Sequence, residues 1–578
     1  MKNDKLIRTV FWRYVPIAIL YSMAVWLQPV IDAMIAGVFL GETALDALVI
    51  ASTINFMLML CSSFILVGGK SRATWHIGRG DMAGRNGVFS FCMSFFIILG
   101  IVLGVVGGFC SQSLALLFGS TEELLPMVNS YVQITCLGSI FFFINSVLLN
   151  FAILQGKKRE CCLSIVLMTA INCVLDIVLV TAAGLGLAGL AVATVLGYII
   201  GNIYLFTVIR KTDIKYTSAC ISMSEIGTII SQGLPFTIGC LGIFIRAIIF
   251  NNMVVSFGIA AMVTGMAIQN ALNGWLSAPT AGCAEITSMM TGMFYGEGER
   301  LDLKKIMMYG LRSGFLTTSI FAILIFILAP FIVSAYQVTE GADICILAIQ
   351  TFCVKLIIGA SIWIFGLYYS VVGLIRMSLL INIVEPLLFP VLLAFPLIAL
   401  VGYNGFWYIY IVADVLTILL IAFIVAARHR KWPFHLDLFM FLSKILPSKP
   451  CQTFNVSINN DIYKAVKISE EAATFCMKNG ISKQRSFHIA LCIEEMCANI
   501  LSKDADGSRV HYIDLKLSIS PDEIVYRMKN DGVAYNPFSE IKMNPDPIAG
   551  LGIKLVEQLA QSIDYHYEFN MNIISLKW

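Results

Sequence analysis

Apolar residues fill the first three quarters of the chain in runs of about 20 or more, the length a helix needs to cross hydrocarbon. To Ala427 the sequence divides into twelve such stretches, at about 12–38, 46–69, 88–111, 127–153, 162–183, 187–209, 231–256, 259–290, 312–335, 344–370, 377–399 and 405–427. They predict twelve transmembrane helices. After Lys431 the pattern changes: "WPFHLDLFMFLSKILPSKP" reads as an interfacial linker, and from Gln452 onward the periods are those of an ordinary globular domain. There the apolar spacing predicts helices at 462–479, 484–501 and 553–561, and strands at 511–518, 523–529, 564–569 and 572–578. The expected fold is an all-α polytopic membrane protein of two parallel six-helix lobes, plus a small C-terminal α+β sandwich. Domain boundaries are expected at 1–215 for the N-terminal lobe, 216–430 for the C-terminal lobe, 431–451 for the linker and 452–578 for the last domain.

The charges give an independent test of the spans, because Lys and Arg gather in cytoplasmic connections. Lys2, Lys5, Arg8 and Arg13 precede the first span, and Lys70, Arg72, Arg79 and Arg85 follow the second. Basic residues return after the fourth, sixth, eighth, tenth and twelfth spans, while 39–46, 111–126, 181–189, 256–262, 335–345 and 401–404 hold no Lys or Arg. The strict alternation puts both termini of a multi-pass plasma-membrane protein in the cytoplasm. No small-residue cleavage site follows the basic start, so the first apolar run reads as a membrane helix rather than a removable signal.

The membrane part also repeats itself, Gly41 against Gly258, Gly156 against Gly373 and Gly186 against Gly402, at an offset near half its length. Two halves in the same orientation are a parallel repeat, an architecture that suits a transporter with a midplane cavity. With 58% hydrophobic and 13% charged residues, the composition excludes a cytosolic enzyme. The balance of 39 basic against 36 acidic residues gives no footprint for nucleic acid. Sixteen Cys lie mostly within apolar runs and form no metal-ligand spacing, so they read as apolar fillers.

An ionisable side chain at bilayer depth costs about 2.5–3.5 kcal/mol on insertion scales, which makes each one a functional candidate. Asp32 stands in the first span, in "PVIDAMIAGVFLG". Asn172 and Asp176, in "INCVLDIVL" of the fifth, are four apart and share a helix face. An amide beside a carboxylate suits a proton or a hard cation, and Asn150 and Thr194 are further oxygen donors. Interhelical polar contact is the alternative role for Asn172 and Thr194.

The strings "IDAMIAGVFLG", "IGRGDMAG", "YVQI", "INCVLD" and "GLGLAGLAVATVLG", in this order, resemble the MATE (multidrug and toxic compound extrusion) antiporters over about residues 1–430. The resemblance implies export of drugs or metabolites against H⁺ or Na⁺, with Asp32, Asn172, Asp176 and Thr194 matching the family's polar positions and Asn150 matching more loosely. The C-terminal lobe departs from that pattern, with Arg246 in the seventh span and Lys355 in the tenth. Glu285 and Glu385, in the eighth and eleventh, are expected to neutralise them. If either cation faces the cavity, the substrate is anionic or zwitterionic, so substrate charge stays open. Gly69-Lys70-Ser71 imitates the end of a P-loop, but Phe64 stands where its first Gly should be.

In the C-terminal domain, "ALCIEEMCANI" puts Glu495 and Asn499 on one helix face. "KNDGVAYNPF" and "GLGIKLVEQLA" follow, the latter opening a helix whose N-terminal amides can receive phosphate. Together these resemble the histidine-kinase-like ATPases of the GHKL class, specifically the anti-sigma-factor serine kinases. The resemblance implies ATP and Mg²⁺ as cofactors, Glu495 as base, Asn499 as Mg²⁺ ligand, Asp531 with Gly532 at the adenine amine, and Gly550 with Gly552 at the phosphates. Lys503 stands where relatives often have His, and a short lid carries Pro545 and Pro547, so nucleotide binding is better supported than turnover. His488 has no dimerising phospho-acceptor helix upstream, which argues against a two-component sensor kinase.

The leading expectation is therefore a secondary antiporter with a cytoplasmic ATP-binding regulatory or signalling domain. Its expected partners are the membrane, a small-molecule substrate and a cytoplasmic regulatory protein, with no nucleic acid. A lipid-linked flippase of the same superfamily and a membrane-anchored serine kinase or sensor are the alternatives.

Overall fold

The computed structural model describes residues 5–217, 221–336, 338, 340–430, 435–446, 452–459, 462–503, 512–521, 523–539 and 551–578. They form two compact units, one of 15–153 with 157–440, the other of 1–14, 154–156 and 441–578.

Twelve long helical segments run through the membrane part: α1 (Lys5–Leu40), α2 (Thr43–Gly78), α3 (Met82–Phe109), α4 (Leu125–Leu154), α5 (Lys158–Ala182), α6 (Leu187–Ile209), α7 (Met223–Ser256), α8 (Ala260–Gly296), α9 (Arg300–Ala335), α10 (Ala342–Val371), α11 (Ile375–Val401) and α12 (Gly405–His429). Among the described residues, eleven of these are long and apolar enough to cross a membrane by length and composition. The exception is α8, whose apolar pattern is broken by Gln269, Asn270, Asn273, Ser277, Thr280 and Glu285. Most of its side chains are buried between neighbouring helices, among them Gln269, Ser277 and Thr280, so their polarity is tolerated inside the bundle and not against lipid. Several helices extend well beyond the apolar stretches, because the hydropathy signal stops where polar residues begin and the backbone ladder does not.

The fifth helix of each half changes pitch, near its end in the first half and near its middle in the second. α5 ends in a π-helical turn, Val178–Ala182, directly after Asp176; α11 contains another, Val384–Leu388, which includes Glu385 and Pro386. Such turns re-aim side chains and are frequent at functional sites.

The two halves meet closely where α2 crosses α7. A Cβ on Gly68 or Gly233 would run into the backbone of the facing helix, at Ile229 and Phe64 respectively. Only glycine allows that approach.

The second unit holds a five-stranded antiparallel sheet of β1 (Gln452–Asn459), β2 (Tyr512–Ile519), β3 (Ile524–Asn530), β4 (Ser562–Glu568) and β5 (Met571–Lys577), in the order β1-β2-β3-β5-β4. Ile513, Leu515, Leu517 and Ile519 alternate along β2 and pack with α13 (Ile462–Lys478), α14 (Lys483–Lys503) and α15 (Leu551–Leu559) in one core. β1 was not among the expected strands, although Phe454, Val456 and Ile458 alternate along it. Burial pushes the thiol of Cys476 up to about 11 and those of Cys492 and Cys497 up to about 12, which keeps them inert apolar fillers near neutral pH.

Candidate functional site

Asp32 and Asp176 are brought together inside the N-terminal half. Both side chains are almost wholly buried, and each carboxyl group lies within electrostatic reach of the other. Asn172 lies one turn before Asp176 on α5. With its amide oriented as its neighbours require, Nδ2 donates to Asp176 Oδ2 at 3.2 Å and Oδ1 accepts from the Thr194 N–H of α6 at 3.2 Å. Gln28, one turn before Asp32 on α1, donates to the Thr194 hydroxyl at 3.4 Å. Tyr131 and Tyr198 are within electrostatic reach of Asp32, and the Tyr131 hydroxyl accepts from Asn55 at 3.2 Å. The chemistry of this site follows from the acid pair, since two buried carboxyl groups this near each other resist being charged together. Gln28, Asn55, Tyr131 and Tyr198 were not among the expected site residues. Asn150 donates from its amide to the Ser146 carbonyl of its own helix, at 2.7 Å, and so is turned to its own backbone.

The C-terminal half assembles a different set. Lys355 Nζ on α10 lies 3.2 Å from Glu385 on α11 and 4.0 Å from Asp414 on α12. Arg246 of α7 stacks over the Tyr410 ring at 4.8 Å and adds a second positive charge to the same cluster. Asp414 was not an expected site residue, although it is a lone acid in an apolar span. Glu285 pairs with Lys70 of α2 and not with Arg246.

A second group of charges ties α2 to α7 at the end bearing the basic connections. Arg72 donates from Nε and Nη2 to the Glu225 carboxylate at 2.7 and 2.9 Å. His76 sits between two acids, 2.8 Å from Asp81 and 3.1 Å from Glu225. Asp81 also accepts from the Gly84 N–H at 2.8 Å, which caps α3. Partial burial pulls the Asp81 carboxyl up, but the Gly84 hydrogen bond and the His76 and Arg79 charges together hold it below its ordinary value.

In the second unit, Glu495 and Asn499 project from α14, and the Glu495 carboxylate reaches the start of α15. There a Cβ on Gly552 would collide with it. Asp531 and Gly532 follow the end of β3, in a turn pinned by a buried amide pair. Asn572 donates to Asn530 at 2.8 Å and to the Val533 carbonyl at 2.9 Å, while the Gly532 N–H donates to Asn530 at 3.1 Å. Asp531 Oδ1 accepts from the Tyr512 N–H at 2.9 Å, and Oδ2 accepts from Arg13 Nη2 at 3.0 Å. Gly550 lies outside the described residues, as do Pro545 and Pro547. A carboxylate and an amide on one helix, a glycine at the N-terminus of another and a fixed acid at a strand end are the parts a nucleotide site of this type uses. Asn530 and Asn572 hold that last part in place.

Residues 16–181 match the MatE family model, and residues 459–578 match the model of the histidine kinase-like ATPase domain. The chain is 26% identical over 278 residues to the probable multidrug resistance protein YpnP of Bacillus subtilis, covering 46% of this chain and 60% of that protein. It is 24% identical over 178 residues to the multidrug export protein MepA of Staphylococcus saprophyticus, covering 30% of this chain and 40% of that one. The chain thus matches less than two thirds of the length of either relative. Among solved structures, a MATE protein in its bent conformation superposes with a TM-score of 0.67 at 20% identity, over 73% of this chain and 95% of that one. An outward-facing MATE transporter of the MOP superfamily gives 0.66 at 20% identity, over 73% and 97%. The membrane part therefore has the MATE fold, and a histidine kinase-like ATPase domain follows it in the same chain.

Proposed function

We propose that the chain is a secondary antiporter that exports a small molecule in exchange for H⁺, with a C-terminal domain that binds ATP·Mg²⁺ and regulates it. The observation that carries this reading is the buried carboxyl pair, Asp32 on α1 against Asp176 on α5. A proton shared by the pair relieves their mutual repulsion; losing it leaves two like charges side by side, a strong incentive to bind a cation or to move apart. Substrate and proton then exclude each other at one site, which is all that antiport requires. Asn172, Thr194 and Gln28 hold the two acids in register. A charge crossing 100 mV exchanges about 2.3 kcal/mol, so the membrane gradient is a sufficient energy source without nucleotide hydrolysis.

The basic connections support a topology with both termini in the cytoplasm. On that topology, the α2–α7 contacts at Gly68, Gly233, Arg72 and Glu225 close the cytoplasmic side. Rocking of the two halves would have to part them. In the C-terminal half Lys355 is engaged by Glu385 and Asp414, so it is not a free anion receptor, and this favours a cationic substrate over a lipid-linked anion.

The test is uptake of ethidium into proteoliposomes under an imposed H⁺ or Na⁺ gradient, with and without ATP on the tail side. Uptake driven by H⁺ without ATP, lost in Asp32→Asn, is the expected result. Uptake that appears only with hydrolysable ATP would make the C-terminal domain the motor and contradict the proposal.

A further inference from the structure

Arg13 and Asp531 lie in the same compact unit, which gathers 1–14 and 154–156 around the C-terminal domain. Three contacts seat this N-terminal segment. Lys5 Nζ lies 5.8 Å over the ring of Tyr512, Arg13 donates to Asp531 at 3.0 Å, and the Tyr14 ring meets Phe569 edge-on at 5.7 Å. Leu6, Ile7, Val10, Phe11 and Tyr14 are buried, and so are Met571 and Ile573 on β5. The segment is a packed part of the unit and not a loose end.

The Asp531 side chain has no exposure, and each of its oxygens has a donor. Oδ1 takes the Tyr512 N–H of the neighbouring strand, a bond that belongs to the sheet edge and stays whatever is bound. Oδ2 is the oxygen left for a ligand, and the Arg13 guanidinium is on it. An adenine exocyclic amine is also a hydrogen-bond donor, so base and guanidinium compete for the same lone pairs. Arg13 reaches Asp531 from the solvent side, with 29% of its side chain exposed.

Resting on the nucleotide reading of the C-terminal domain, we propose that Arg13 is an internal competitor of the adenine base: ATP binds only by displacing Arg13 from Asp531, and so releases the start of α1. Helix α1 runs from Lys5 to Leu40, and Asp32 lies further along the same helix. Nucleotide occupancy is thus written onto the first turns of the helix that carries one member of the acid pair. The transporter senses adenine nucleotide through its own N-terminus, with no protein partner needed.

The experiment titrates a fluorescent ATP analogue with Mg²⁺ into the full-length protein in nanodiscs, for wild type, Arg13→Gln, Arg13→Lys and Asn499→Ala. Replacing the charged fork with a shorter neutral amide is expected to tighten binding about tenfold in Arg13→Gln, equivalent to about 1.4 kcal/mol. Arg13→Lys keeps the charge without the planar fork and falls between the two. In wild type, MgATP should also speed amide hydrogen exchange across residues 5–14, a readout that needs no variant. Equal affinity in wild type and Arg13→Gln, with binding lost in Asn499→Ala, would overturn the competition and leave the nucleotide site standing. An unchanged exchange rate at residues 5–14 on saturation with MgATP would overturn it too. No binding in any of the four proteins would remove the nucleotide site itself, and the competition with it.

Discussion

The two halves of the membrane part repeat their helices but not their chemistry. In the N-terminal half two acids face each other, with amides and hydroxyls around them. In the C-terminal half two acids, Glu385 and Asp414, flank Lys355, with Arg246 as a second cation. The first cluster carries two negative charges that only bound protons or cations can offset, whereas the second balances its own charge. A repeated backbone can therefore keep one half as the coupling site and use the other as an ionic brace, because the electrostatics depend on a few side chains.

The largest expected difference between the halves is in transport. Asp32→Asn removes the titratable member on α1 and is expected to reduce gradient-driven dye uptake to background while the protein still folds and purifies normally. Glu385→Gln is expected to retain most of the uptake, and loss equal to that of Asp32→Asn would end the distinction. Stability should show the reverse order. Lys355→Ala leaves the buried Asp414 and the partly buried Glu385 without their shared cation and is expected to cost about 3–5 kcal/mol, seen as a lower unfolding temperature in detergent. The double variant Lys355→Met with Glu385→Leu should recover most of it, since no unpaired member of that pair remains.

Smaller effects sharpen the role of the α2–α7 contact. Glu225→Gln loses the charge that Arg72 grips with two hydrogen bonds and that His76 also reaches, for about 1.5–3 kcal/mol. It should also raise the labelling rate of a cysteine placed at Thr237, whose hydroxyl meets that of Ser63 on α2 at 3.1 Å, if that side opens more often. The smallest effect belongs to Asp81, whose loss in Asp81→Ala removes a helix cap worth about 1 kcal/mol. Because its folded pKa is lowered, the stabilisation is fully present above the ordinary carboxylate value and disappears as pH falls through the folded one. The stability gap between wild type and Asp81→Ala should therefore narrow in acid and not in base.

Much of this was legible in the sequence, for identifiable reasons. Spans follow from length and apolarity, and α8 is the instructive exception, since a helix buried on most sides has no need of a lipid-compatible surface. Asp32 and the Asn172–Asp176 spacing stand out because charge at depth is rare. Asp414 carries the same signal, a lone acid in an apolar span, yet it was not among the expected site residues. Gln28, Tyr131 and Tyr198 carry none, because amides and phenols are ordinary in such helices and only their convergence on Asp32 and Thr194 gives them a role. The pair of Arg13 and Asp531 is 518 residues apart in sequence, beyond the reach of any local pattern. β1 was legible from its alternation, but its short run beside the linker hid it.

The acid pair is the centre of the account, and proton release on substrate binding tests it most directly. Purified protein in weakly buffered detergent at neutral pH is mixed with ethidium, and the pH change is followed in wild type, Asp32→Asn and Asp176→Asn. The account predicts release of about one proton per transporter in wild type and none in either variant. Release that persists undiminished in Asp32→Asn, or binding that displaces Na⁺ with no proton released, would contradict it.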